Sequence, residues 1–112
     1  ETSGVQDAML CHGASGVAHL FNRMFQATGE AWLAQAARRW FAQVFQMQRP
    51  GAGIAGYQSH IDDHATHGGS WHTDPGLLTG TAGLALALLA AATEFEPEWD
   101  RALLLSARTF AR

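Results

Sequence analysis

Cysteine is nearly absent from this chain. Cys11 stands alone among 112 residues, which excludes an intrachain disulfide. That suits a reducing compartment, and the cytoplasm is the expected location. Charge is sparse as well: 15% of residues carry it, for a net of −3. Such a balance gives no electrostatic footprint for nucleic acid or an anionic membrane surface. The opening Glu1-Thr2-Ser3-Gly4 lacks the basic start and apolar core of a secretory signal. Nor is there an apolar run of membrane-spanning length. Leu77 to Ala92 comes nearest, but a span needs about 18–20 residues, and Thr79, Gly80, Thr81 and Gly83 interrupt this one. A buried core helix is the expectation there.

What is present is a globular composition. Apolar residues make up 47%, enough for one domain with one modest core. Val17, Leu20, Phe21, Met24 and Phe25 recur at helical spacing and predict one helix, with Gly29 as its left-handed stop. Asn22, Arg23 and Gln26 fall elsewhere on that wheel. Leu33, Ala36, Ala37, Trp40, Phe41, Val44 and Phe45 predict a second helix, with Arg38 and Arg39 on its solvated face. Arg49-Pro50-Gly51 ends it. The short link between the two helices predicts antiparallel neighbours. Residues 51–73, rich in glycine and without sustained periodicity, read as a loop, with Ile54-Ala55-Gly56-Tyr57 as a brief extended piece. Asp74-Pro75 reads as an N-cap followed by proline at the first helical position, opening an enclosed helix from Pro75 to about Thr93. After Glu96-Pro97-Glu98, a last segment begins at Trp99-Asp100-Arg101, with Leu103-Leu104-Leu105 expected to be buried.

One internal echo stands out. Leu10 to Ala18 can be laid over Leu77 to Ala85, both reading Leu-x-x-Gly-x-x-Gly-apolar-Ala at the head of a helix. Two occurrences at a fixed offset predict a repeated helical hairpin. Closely spaced glycines let backbones approach where a side chain would clash.

The chemistry-bearing residues gather at two places. Cys11 and His12 are adjacent thiol and imidazole donors, a pair suited to zinc, but only two ligands where a site needs three or four. A buried cysteine beside a capping histidine is the bland alternative. His60, Asp62, Asp63, His64, His67 and His72 form a second cluster. The spacing of His60, His64 and His67 would align them on a helix, yet the glycine-rich setting favours a solvated loop over a second metal site. His19 lies off the apolar stripe and reads as a surface or inter-helix hydrogen-bonding residue. Trp32 and Trp40 read as packing, while Trp71 and Trp99 are left as candidates to line a peptide groove.

With these motifs assembled, the chain resembles the C-terminal part of the lanthionine synthetase C-like family of lanthipeptide cyclases. The resemblance rests on Leu10-Cys11-His12-Gly13-Ala14-Ser15-Gly16-Val17-Ala18, on Thr28 to Trp40, on Pro75-Gly76-Leu77-Leu78-Thr79-Gly80-Thr81-Ala82-Gly83-Leu84-Ala85, and on the Trp99 to Ser106 tail. It implies an all-α architecture of helical hairpins forming part of an α/α toroid. Residues 1–112 would be a C-terminal segment of the cyclase domain, incomplete and inactive by itself. It also implies Zn²⁺, with Cys11 and His12 as two ligands. In the family a further cysteine and the acid–base histidine and aspartate lie upstream, so no catalytic residue is expected within this chain. The activity implied is addition of a peptide cysteine thiolate to dehydroalanine or dehydrobutyrine in a dehydrated precursor peptide, forming thioether rings. A glutathione-adding relative and a non-catalytic toroid used as a binding module are the alternatives. The expected partners are the precursor peptide and the missing N-terminal part of the toroid. Self-association would cover apolar surface left open along Leu84 to Leu89.

Overall fold

A computed structural model describes residues 3–106. Helix α1 spans Ala14–Thr28 and α2 spans Ala31–Gln46. Gly29 ends α1 with φ 75°, a left-handed exit that glycine takes without a Cβ penalty, and its N–H bonds to the Phe25 carbonyl at 2.7 Å. The link is so short that α2 folds straight back on α1, as predicted. Phe21 meets Trp32 edge-on across that junction.

Residues 51–73 do not form a loop throughout, and the architecture is not all-α. Strand β1 (Ser59–Asp63) pairs antiparallel with β2 (Gly68–His72) in a two-stranded hairpin, with Ser59 opposite His72 and Asp63 opposite Gly68. The reason for the discrepancy is physical. A strand advertises itself by alternation only when one face is buried. All of β2 is exposed, as is most of β1, so backbone pairing holds the hairpin without any hydrophobic period. The tip is set by Asp63, which accepts bonds from Ala65 N–H at 2.9 Å and Thr66 Oγ1 at 2.7 Å. These two bonds hold the Asp63 carboxyl below the ordinary carboxylate range. Ile54 and Tyr57 form an isolated bridge, the predicted brief extended piece.

Helix α3 covers Thr81–Ala92 and starts six residues later than its predicted proline start. Asp74 does bond forward, but within a turn and not to a helix: Oδ1 accepts from Gly76 N–H at 2.7 Å and Oδ2 from the Thr79 hydroxyl at 2.6 Å. Those two bonds, Thr79 first, pull its carboxyl below the ordinary range too. Nor is α3 enclosed all round, since Leu89 is 56% exposed. It packs on α1 through a face that buries Thr81, Gly83, Leu84, Ala87 and Ala90. A 3-10 segment, Glu98–Leu103, follows. Leu103 and Leu105 are only half-buried, and Leu104 lies almost wholly in solvent. The predicted apolar tail is therefore not a core element.

The core gathers Ala8, Met9, Ala14, Val44, Tyr57 and Leu84, flanked by Val5, Trp40, Met47 and Leu88. Tyr57 anchors the hairpin root to α2 through its hydroxyl, which donates to the Val44 carbonyl at 3.1 Å. The described helices do not close into a toroid: α1 packs on α2 on one side and α3 on the other. Among the described residues no helix is long and apolar enough to cross a membrane.

Candidate metal-donor turn at the head of α1

The repeated motif is a repeated structure. Each copy is a turn that opens on an aspartate and closes on a glycine before a helix. In the first, Asp7 Oδ1 accepts Met9 N–H at 3.0 Å and the Asp7 carbonyl accepts Ala14 N–H at 2.9 Å. In the second, Asp74 Oδ1 takes Gly76 N–H, and its carbonyl takes Thr81 N–H at 2.8 Å. Gly13 and Gly80 sit at the two helix entrances with the same extended backbone, at φ −109° and −125°. A Cβ on Gly13 would strike the Asp7 carboxylate and the Met9 backbone; a Cβ on Gly80 would strike Asp74 and Gly76. One turn later, Gly16 and Gly83 lie against the carbonyls of Leu10 and Leu77 in the same manner. The two turns touch through Cys11 N–H, which donates to the Leu78 carbonyl at 2.8 Å.

Within the first turn, Asp7, Ala8, Met9, Leu10 and Gly13 are all buried. Cys11 and His12 are the two exposed residues. The structure therefore leaves both predicted donors, adjacent in the chain, exposed to solvent just before the entrance to α1. Their chemistry, a thiol and an imidazole, fits a zinc ion as half of a ligand set. Among the described residues no group of three or more His, Cys, Asp or Glu side chains converges. The second cluster accordingly does not assemble. His60 packs edge-on against Trp71 and lies 3.3 Å from Asp62, while His72 Nε2 bonds Ser70 Oγ at 2.7 Å.

A buried ionic knot lies further along α1. His19 is fully buried, not at the surface, and Nε2 bonds Asp100 Oδ2 at 2.9 Å. Arg23 is buried beside it, its Nε 2.8 Å from the same carboxylate oxygen and its guanidinium also paired with Glu96. Trp99 stacks on the His19 ring at 4.7 Å, so it packs here. Desolvation pushes the His19 pKa below 6.5, against the opposing pull of Asp100. In its neutral form the imidazole can meet the carboxylate only by donating from Nε2. This knot pins the 3-10 segment to α1. It holds two residues, Arg23 and Asp100, that periodicity alone does not single out.

The comparisons agree with the motifs. The family model for lanthionine synthetase C-like protein matches residues 1–104. The chain belongs to the lanthionine synthetase C-like family. No individual curated protein matches it. Membership gives the function at family level: a lanthionine synthetase C-like, cyclase-type protein. Within the matched residues, the Asp7–Gly13 turn displays Cys11 and His12, and the Asp74–Gly80 turn repeats its backbone with Leu78 and Thr79 in their places.

Proposed function

We propose that the intact protein is a zinc-dependent cyclase that forms thioether rings in a dehydrated precursor peptide, with Cys11 and His12 as two of the metal's ligands. The observation that carries this reading is the exposure of those two side chains alone on an otherwise buried turn. Zinc, when bound, would act as a Lewis acid that favours the thiolate form of a substrate cysteine. In the reaction the S–Cβ bond forms, the C=C π pair moves toward Cα, and Cα takes up a proton. The turn's contribution is orientation. The Leu78 carbonyl fixes the Cys11 backbone, and Gly13 lets the chain pass close over Asp7 into α1. Remaining ligands and the acid come from elsewhere in the protein. Leu20, Met24, Trp32, Phe45, Leu89 and Phe95 expose much apolar surface. Self-association, or the rest of the protein, covers it.

The test is the zinc content of the full-length protein and of its Cys11→Ala and His12→Ala variants, with ring formation in a dehydrated peptide followed by mass spectrometry after thiol alkylation. Loss of both zinc and ring closure in the variants is expected. Zinc at the parental level in both variants would remove the reading.

A further inference from the structure

We propose that Asp7 is the positioning residue for the donor pair, tying Cys11 and His12 to the root of the β-hairpin through one carboxylate. This rests on the reading of Cys11 and His12 as zinc ligands. Asp7 is 3% exposed. A buried carboxylate needs partners, and this one takes both from backbone. Oδ1 accepts Met9 N–H at 3.0 Å, inside the turn; Oδ2 accepts His60 N–H at 2.9 Å, at the start of the hairpin. Its own carbonyl closes the turn on Ala14. Gly13, the residue after His12, rests directly on the carboxylate. The backbone on both sides of the donors is thus tied to Asp7, through Met9 before them and through Gly13 and Ala14 after them.

Asp74 supplies the internal control. It makes the same turn with Oδ1, but spends Oδ2 within that turn, on Thr79. The link to a distant element is peculiar to the turn that carries donors. Groups that orient metal ligands without touching the metal commonly change affinity about 10–100-fold when removed.

The experiment uses the full-length protein loaded with Co²⁺, whose sulfur-to-metal charge-transfer band reports thiolate ligation, and titrates metal affinity by zinc competition. Cys11→Ala must lower the band's intensity, the family's further cysteine accounting for any that remains; if the band is undiminished there, the ligand assignment itself falls. With that arm in place, Asp7→Ala is expected to weaken affinity about 10–100-fold. Asp7→Asn, which keeps one acceptor for Met9 but offers no second for His60, should weaken it less, and it carries the test if the alanine variant fails to fold. Asp63→Ala, which loses a carboxylate bonded to Ala65 and Thr66 at the hairpin tip, should bind metal as the parent does. Parental affinity in the Asp7 variants, or an equal loss in Asp63→Ala, would overturn the inference.

Discussion

The two turns that open α1 and α3 are built alike and display different residues. Both use an aspartate to bond an N–H two residues on and a glycine to enter the helix in extended conformation. Between those fixed points, one carries Cys11-His12 and the other Leu78-Thr79. The helices diverge in the same register. His19 and Arg23, buried on α1, correspond to Leu86 and Ala90 on α3. A frame of one aspartate and two glycines therefore sets backbone shape, while the residues it displays are free to be ligands or hydrocarbon.

This comparison can be broken at several points. The largest effect should come from Asp100→Ala, which leaves buried Arg23 and His19 without their shared carboxylate. Breaking such a buried pair costs about 3–5 kcal/mol, measurable by urea unfolding. Leu86→Ala on α3, at the place that matches His19 and half-buried among apolar groups, should cost less. If the two costs match, the polar seam of α1 is not distinctive.

Next come the entrances. Gly13→Ala and Gly80→Ala each force a Cβ into the aspartate below. Each should lose about 1–3 kcal/mol, and by similar amounts, in the same unfolding assay. A harmless Gly80→Ala beside a damaging Gly13→Ala would show that the twins are not held in the same way.

A smaller change in stability but a complete change in chemistry is expected from converting one turn into the other. Cys11→Leu combined with His12→Thr replaces two exposed side chains with those of the second turn. Stability should move by less than about 1 kcal/mol, while bound zinc, read by elemental analysis, disappears. A large loss of stability would mean that the donors also hold the fold.

The smallest effect is one of pH. Because burial depresses the His19 pKa, the unfolded state takes up a proton that the folded state resists. The stability that this neutral histidine contributes is complete above 6.5 and is lost as pH falls toward the lower folded value. The melting temperature should drop over that window and drop less in His19→Gln. Identical profiles would mean that His19 does not titrate on unfolding as argued. Helix α3 has leucine at the matching place and adds no such dependence.

Much of the site was legible in the sequence. Cys11 and His12 stood out as a donor pair, and they prove to be the exposed residues of their turn. The Leu-x-x-Gly-x-x-Gly echo proves to be a repeated backbone. Asp7 was missed, although the same offset carried three residues further back pairs it with Asp74. The hairpin was missed because neither strand needs an apolar face. On α1 the apolar stripe misled: Leu20 and Met24 are 43% and 40% exposed, while His19 and Arg23 are buried. Periodicity records where hydrocarbon sits, and it cannot say that a carboxylate waits across the fold.

By itself, then, the sequence determined the three helices, the twin glycine entrances and the family, because each rests on local spacing or on a motif read within a few residues. Tertiary structure alone decided that Asp100 would reach back to His19 and Arg23 across the chain, and that Asp7 would hold both the donor turn and His60. Those bonds join residues 53 to 81 positions apart, and a buried polar group's partner is settled by what the fold brings beside it.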